Sequence, residues 1–298
     1  MITNLIFFFK MAKKKGDYKM NQFKTILLML ILSMFLLVIG SYFGGEAGLM
    51  IAFIISLAMN FVSYFFSDKI VLTMYGAQRV ERQHNPALYD TVERLATYAG
   101  LPMPKLYIIN TPTPNAFATG RNPNNAAVAV TTGIMRILSK EELEGVIAHE
   151  LAHIKNRDIL VQTISATLVS TITYLVHFFA FFGGSNDERR ERNIFVDLAL
   201  MILAPIAATL IQLAISRSRE YLADETGAQI CGNPMYLANA LKKLAAGNEA
   251  IPMDAEPATA HMFIVSPLSG SGFVKLFSTH PPLEDRIQRL IDIANGRR

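Results

Sequence analysis

The sequence predicts a mainly α-helical membrane protein, with four transmembrane helices and a cytoplasmic α+β domain that these helices divide into two parts. Three observations lead to this fold class: a high apolar content, four long uncharged stretches, and polar segments with helix and strand patterns between them. Hydrophobic residues make up 51% and charged residues 17% of the 298 residues. The mean hydropathy of +0.30 is high for a soluble domain, so the lipid bilayer is an expected partner.

Each uncharged stretch is long enough to cross the hydrocarbon core as a helix, which takes about 20 residues. We expect transmembrane helices near residues 24–43, 47–67, 159–182 and 195–215. A tight hairpin at Gly44–Glu46 joins the first two. The second pair is less regular, because hydroxyl residues run through its first member and Pro205 lies in the other, and two re-entrant hairpins would also fit.

Basic residues orient these helices. Six lysines lie between residues 10 and 24, so the positive-inside rule puts the N-terminal segment 1–23 in the cytoplasm. The hairpin 24–67 and the pair 159–215 each return the chain to that side, where 68–158 and 216–298 form one split domain. The net charge of +4 and the N-terminal lysines fit anionic lipid headgroups, and the sequence contains no nucleic-acid-binding motif.

The first cytoplasmic part contains helix and strand patterns. Pro86–Ala99 has the period of an amphipathic helix, and Lys105–Ile109 has the composition of a strand. Asn115–Thr119 and Ala126–Thr131 predict a hairpin that leads into the next helix. An edge strand here can hold an extended peptide by strand addition, but a purely structural hairpin explains the pattern equally well.

A capping box marks the start of that next helix. Ser139 and Glu142 have the S-x-x-E spacing in which each side chain bonds the backbone N–H of the other. Apolar residues then recur with a helical period. We therefore expect a helix from about Lys140 to about Asn156, with one buried face.

This helix carries His149-Glu-Leu-Ala-His153, the pattern of a catalytic zinc helix. Histidines four residues apart lie on the same helical face, where one cation can bind both imidazoles. Glu150 follows the first ligand and can accept a proton from a water that the metal activates. An ordinary helix with two surface histidines is the alternative.

A catalytic zinc ion has three protein ligands, so a third must come from another element. Glu220 and Asp224 are the best candidates, because two like charges one helical turn apart repel unless a cation or donor is near. We expect Glu220 to bind zinc and Asp224 to accept a hydrogen bond from a ligating histidine. The predicted topology agrees with this assignment. Two membrane crossings lie between the histidine motif and Glu220, so both segments are on the same side of the membrane.

The second cytoplasmic part is less patterned. Pro234 begins a helix that ends near Gly247, and Pro282–Ala294 predicts a final amphipathic helix. Residues 249–271 between them are rich in Pro, Gly and Ser and predict a loop or flap. The single Cys231 excludes an internal disulfide and a multi-cysteine metal site.

Four motifs occur in order along the chain. They are Asn115-Ala116-Phe117-Ala118, the pentapeptide at His149–His153, R-x-x-E-x-x-A-D from Arg217 to Asp224, and Thr279-His280-Pro281-Pro282 followed by Arg286. In this order, and interleaved with the predicted transmembrane helices, they resemble the HtpX family of membrane-bound zinc metalloproteases, heat-shock proteases related to the CAAX prenyl proteases. The resemblance covers nearly all of the chain after Met20.

The resemblance implies a zincin-like domain of the gluzincin type with one Zn²⁺ per chain. It implies His149, His153 and Glu220 as ligands and Glu150 as general base. It also implies an active site on the cytoplasmic side of the bacterial cytoplasmic membrane, and polypeptide substrates that are misfolded or damaged membrane proteins.

Further residues receive expected roles. His280, held rigidly before two prolines, is our candidate donor to the oxyanion, with a structural hydrogen bond as the alternative. Arg217 and Asp224 are expected to support the metal ligands, and the strand at Asn115–Ala118 to bind substrate.

Other function classes fit less well. A transporter or channel would carry charged or broken membrane helices, whereas these motifs lie outside the predicted membrane helices. A non-proteolytic zinc-binding protein would be favoured by loss of Glu150, which is present. The closest alternative is a prenyl-protein endopeptidase of the CAAX type, for which more membrane helices would be expected. The sequence does not specify the substrates or the oligomeric state.

Overall fold

The structure is a computed structural model that describes residues 2–169, 217–250, 264 and 281–297. Its helices are α1 (Ile2–Met74), α2 (Pro86–Ala99), α3 (Thr132–Ile137), α4 (Lys140–Asn156), α5 (Ile159–Val169), α6 (Arg217–Cys231), α7 (Pro234–Ala250) and α8 (Leu283–Ala294). Its strands are β1 (Gln78–Arg79), β2 (Lys105–Ile109), β3 (Ala116–Gly120) and β4 (Ala126–Thr131). The helices predicted around the histidine motif and after Pro86 are confirmed.

Helix α1 turns back on itself at Gly45, whose φ of 55° and ψ of −139° suit a residue without a Cβ. The two arms then run in close contact. A Cβ atom added to Gly48 would lie 2.1 Å from the carbonyl oxygen of Gly40. Farther along, the Asn60 amide donates a 2.8 Å hydrogen bond to the hydroxyl of Ser33. The predicted turn at Gly44–Glu46 is therefore present, and the crossing of a membrane by both arms stays a prediction.

Within the described residues, one helical stretch, Gly44–Met74, is long and apolar enough to cross a membrane. Many of its large apolar side chains are exposed. Thr25–Val38 and Ile159–Val169 are shorter apolar helices. The remainder of the third predicted membrane helix and the whole of the fourth, 170–182 and 195–215, lie outside the described residues.

The four strands form one sheet in the order β1-β2-β4-β3. Strands β3 and β4 are the predicted antiparallel hairpin, with Ala116 opposite Val130 and Gly120 opposite Ala126. Strands β2 and β4 are parallel, and β1 is a two-residue antiparallel edge that no sequence pattern indicated. This order leaves β3 as the other edge of the sheet.

The sheet is buried on both faces. Alternate side chains of each strand pack on opposite sides, as strand geometry requires. One face contributes to the main core with α2 and α4, through Leu106, Ala116, Ala118, Val128 and Val130. The other face packs on the end of α1 and on α5, through Ile109, Phe117, Ala127 and Ala129. Helix α1 is therefore joined directly to the sheet that precedes the histidine helix.

Candidate active site

Local sequence fixes both ends of helix α4. The Ser139 hydroxyl accepts a 3.3 Å hydrogen bond from the Glu142 N–H, and the Glu142 carboxylate accepts one of 2.7 Å from the Ser139 N–H. The predicted capping box is therefore confirmed. At the other end Arg157 has a left-handed conformation, with φ of 59°, which ends the helix and turns the chain back toward it.

Two glycines allow the backbones of neighbouring helices to pack directly against the backbone of α4. A Cβ on Gly145 would lie 2.5 Å from the backbone nitrogen of Leu237 in α7. A Cβ on Gly227 of α6 would lie 3.0 Å from the Cα of His149. Helix α6 therefore lies directly against the histidine positions of α4, so its acidic side chains can reach them.

His149, His153 and Glu220 converge on one point, although 66 residues lie between the second histidine and the glutamate in sequence. The two Nε2 atoms are 3.1 Å apart. Each Nε2 atom lies 3.6 Å from a carboxylate oxygen of Glu220. All three side chains are buried. The structure thus brings the three predicted ligands together.

Both imidazoles are oriented by an aspartate on their far side. Nδ1 of His149 lies 2.9 Å from Oδ1 of Asp224, as predicted. Nδ1 of His153 lies 3.1 Å from Oδ2 of Asp158, which the sequence analysis missed. A carboxylate only accepts, so each Nδ1 carries a proton, and each ring can present a lone pair at Nε2 once the proton on that atom is displaced. The available signal in the sequence was an aspartate directly before the uncharged run that begins at Ile159.

This donor set suits a metal ion. Two Nε2 atoms and the Glu220 carboxylate meet in a buried space. The negative charge of that carboxylate is costly to bury unless a positive charge, from a cation or from added protons, lies beside it. Four-coordinate zinc with bonds of about 2.0–2.2 Å places its ligand atoms roughly 3.3–3.6 Å apart. The observed separations of 3.1 and 3.6 Å lie close to that range. The residues therefore fit a tetrahedral cation site with one position left for water.

The titration behaviour of the histidines points the same way. Burial alone would lower the pKa of His153, but the charge of Asp158 and its hydrogen bond outweigh this and raise the pKa to about 10. The pKa of His149 is also raised, because hydrogen bonds to Asp224 and Glu220 outweigh burial. The site favours positive charge at both imidazoles, which a bound cation would supply in place of protons.

Glu150 is buried beside the ligand cluster. Burial raises the pKa of its carboxyl to about 6, and the charge of Glu220 adds to the effect while His149 and His153 oppose it. The backbone N–H of Ala118 lies near this carboxyl and lowers its pKa slightly. A carboxyl with a pKa near 6 can accept and return a proton at neutral pH, as general base catalysis requires.

The candidate base therefore lies beside the edge strand β3. The N–H groups of alternate β3 residues point away from β4: that of Ala118 faces Glu150, and that of Gly120 donates to the Thr163 hydroxyl at 3.3 Å. The N–H of Ala116 donates to the Asn115 side chain at 3.0 Å. The predicted substrate strand, Asn115–Ala118, is therefore a buried sheet edge in contact with the candidate base.

Arg286 of helix α8 completes the site. Its guanidinium donates to both oxygens of Asp224, at 2.9 and 2.7 Å, and to the Ile264 carbonyl at 3.0 Å. It also lies 3.5 Å from Glu220. Burial would raise the pKa of Asp224, but Arg286 and His149 outweigh it and the pKa is lowered, so Asp224 stays charged. The sequence motif contained Arg286, but its position in the fold was not foreseen.

Two other predicted residues are not in this cluster. Arg217 is exposed in the first turn of α6, one turn before Glu220, and its expected support of the metal ligands stays a prediction. Arg219 is buried instead, where the charges of Asp158 and Glu220 oppose the lowering of its pKa by burial. His280 lies outside the described residues, as does most of the predicted loop at 249–271.

Comparison with known proteins identifies the family. The sequence profile named Peptidase family M48 matches residues 82–294, which include every residue of the cluster. The chain belongs to peptidase family M48. This is a metalloprotease family, so the resemblance inferred from the four motifs is confirmed.

Close relatives agree. The chain is 59% identical to "Protease HtpX homolog" of Thermodesulfovibrio yellowstonii over 91% of this chain and 98% of the relative. It is 56% identical to the protein of the same name from Desulfatibacillum aliphaticivorans, over 91% of this chain and 89% of the relative. A third, from Salinibacter ruber, is 55% identical over 92% of this chain and 99% of the relative.

A solved structure shares the fold. The chain matches the crystal structure of S. mikatae Ste24p with a TM-score of 0.51 and 18% sequence identity, covering 92% of this chain and 66% of that one. Agreement in shape at such low identity supports the mainly helical architecture with a small sheet.

Proposed function

We propose that this chain is a multi-pass zinc endopeptidase of the bacterial cytoplasmic membrane that hydrolyses misfolded or damaged membrane proteins on the cytoplasmic side. One observation carries the proposal: a buried three-ligand cluster lies beside a buried carboxyl with a raised pKa, and that carboxyl lies next to a sheet edge. The exposed apolar surface of Gly44–Met74 supports insertion in the bilayer. The 59% identity to a protease HtpX homologue supports hydrolysis of polypeptide substrates.

In this proposal His149, His153 and Glu220 hold one Zn²⁺. The bound ion would supply an activated water and polarise the peptide carbonyl. Asp224 and Asp158 keep both imidazoles in the tautomer that presents Nε2. Arg286 balances the negative charge of Asp224, so that this carboxylate remains a hydrogen-bond acceptor.

Glu150 moves the proton. Its carboxylate accepts the proton from the attacking water and returns it to the leaving amine, a role that its pKa near 6 suits. An extended substrate would approach β3 at Ala118, whose outward N–H would bond it, and its carbonyl oxygen would be stabilised by a donor for which His280 is our candidate. Asn115 supports β3 at its start, where its backbone N–H donates to the Thr131 hydroxyl at 2.9 Å.

The decisive experiment replaces Glu150 with glutamine in the full-length protein. We expect Glu150→Gln to retain zinc, measured by elemental analysis, and to lose cleavage of casein and of itself. Glu141→Gln is the matched control, because Glu141 lies on the same helix but is exposed. Unchanged proteolysis in Glu150→Gln would remove this residue from the mechanism, and loss of zinc would show that it serves the metal instead.

A further inference from the structure

A basic cavity lies where the end of helix α1 meets the sheet, on a part of the surface that the active site does not use. Its volume is about 270 Å³. We call it the basic pocket, and it is lined by Phe61, Phe65, Phe66, Asp68, Lys69, Lys105, Arg121 and Asn125. Three separate elements supply its cations: α1, β2 and the turn after β3.

The basic pocket lies at the depth of lipid headgroups if α1 is inserted in a bilayer. Residues 47–67 contain no charged side chain, and Asp68 and Lys69 are the first charged residues after Glu46. A helix of about 20 residues rises roughly 30 Å, the thickness of the hydrocarbon core. The chain therefore leaves the hydrocarbon region at about Ser67, directly beside the pocket.

The basic pocket has a net positive charge that no ion pair among the described residues neutralises. Lys69, Lys105 and Arg121 face one acidic residue, Asp68. Across the part of the chain that the structure describes, none of these three cations forms an ion pair with a carboxylate. Arg121 is held in place by donating to the Phe65 carbonyl at 3.3 Å and by its guanidinium lying 5.1 Å from the Phe65 ring. Lys69 lies 5.1 Å from the Phe66 ring.

An apolar surface continues from the pocket toward the predicted membrane core. Phe61 and Phe65 line the pocket one helical turn apart, with ring centroids 4.7 Å from each other. Leu57, Ile54 and Met50 follow on the same helical face and are also exposed. A ligand that fits both features has a negative head and a long apolar tail.

We propose that the basic pocket binds the phosphate of an anionic phospholipid, with the acyl chains lying along the Phe65–Met50 face of α1. The proposal rests on the membrane insertion that is part of the proposed function. Its consequence concerns position. Arg121 directly follows β3, whose Ala118 lies beside Glu150, so a bound lipid would hold this end of the substrate strand at the membrane surface.

The test compares lipid preference in the full-length protein carrying Glu150→Gln, so that self-cleavage does not interfere. Flotation with phosphatidylcholine vesicles first reports insertion. Lipid retention is then measured by native mass spectrometry after reconstitution in equimolar phosphatidylcholine and phosphatidylglycerol. We expect preferential retention of phosphatidylglycerol, and a loss of about 30-fold in Lys105→Gln/Arg121→Gln, since each basic residue at an anionic surface contributes roughly a factor of five.

The control variant is Arg136→Gln/Lys242→Gln, which removes two exposed cations elsewhere. It should keep the preference, and thermal unfolding should show that both double variants are folded. The proposed lipid site would be overturned if the control variant lost the same amount of phosphatidylglycerol retention. It would also be overturned if the inserted protein showed no preference for phosphatidylglycerol. Displacement of the lipid by millimolar inorganic phosphate would overturn the lipid assignment in favour of a free phosphate. Failure to float would instead contradict the membrane function.

Discussion

The carboxylate of Asp158 lies 3.1 Å from Nδ1 of His153, and both side chains are buried. Asp158 is five residues after its partner, which a continuous helix would place on another face. The left-handed conformation of Arg157 ends α4 and returns Asp158 to the ring, with its N–H 3.3 Å from the His153 carbonyl. Each histidine of the cluster therefore has its own aspartate.

Replacing Asp158 with asparagine should weaken zinc binding by about 10–100-fold, the usual effect of losing a carboxylate behind a ligating histidine. The amide keeps the shape but removes the charge that favours the correct tautomer. Competition with a chromophoric chelator measures the affinity. Asp90→Asn, in an exposed ion pair with Arg82, is the control. An affinity equal to that of the parent protein would assign Asp158 a purely structural role.

Arg286→Met should lower the free energy of unfolding by about 3–5 kcal/mol, because it leaves the buried Asp224 carboxylate without its bidentate partner. Chemical denaturation of the metal-free protein measures this. The double variant Arg286→Met/Asp224→Asn removes the stranded charge and should recover part of the loss. If the double variant is less stable than Arg286→Met, packing of the guanidinium rather than charge explains the effect.

Sequence periodicity located the elements that local chemistry determines. Helix α4 begins at the Ser139 capping box and carries both histidines, and the β3–β4 hairpin has the predicted strands. The pairing of Glu220 with the histidines also followed from sequence. A catalytic zinc site needs a third protein ligand, and Glu220 and Asp224 are two acidic residues on the same helical face. These features depend on residues close in sequence or on one strong chemical constraint.

Tertiary placement decided the rest. Arg217 and Arg286 both stand in recognisable motifs, but only the fold shows that Arg217 is exposed and Arg286 is buried against Asp224. Asp158 reaches His153 only because Arg157 has a positive φ. That conformation favours glycine and is not expected of an arginine. The parallel pairing of β2 with β4 joins segments that no short turn connects, so periodicity alone does not reveal it.

Gly227→Ala should weaken zinc binding by more than the loss of thermal stability of the same variant accounts for. Its new methyl group would meet the His149 backbone at 3.0 Å and push α6, with Glu220 and Asp224, away from α4. Gly145→Ala, which meets the Leu237 backbone at 2.5 Å, is the control because it separates α4 from α7 and leaves α6 in place. Zinc affinity and thermal unfolding are measured together for both variants. Equal zinc affinity in the two variants would contradict this account.

The final prediction concerns pH. Both histidine pKa values are raised in the metal-free protein, that of His153 to about 10 from an ordinary 6.5. Their pairing with acidic groups therefore stabilises the metal-free fold fully below pH 6.5, and this contribution is lost as the pH rises toward 10. Thermal stability of metal-free protein should accordingly fall on the alkaline side.

Zinc binding should respond in the opposite direction, because the ion binds neutral imidazole and must displace these protons. With one or two protons released per ion, the apparent zinc affinity should rise about 10–100-fold for each pH unit in the neutral range. Chelator competition at several pH values, corrected for protonation of the chelator, measures the slope. Asp158→Asn should flatten it, since the charge of Asp158 is the largest influence raising the pKa of His153. A slope of zero in the parent protein would mean that both imidazoles are already neutral before the metal binds, contrary to the raised pKa values.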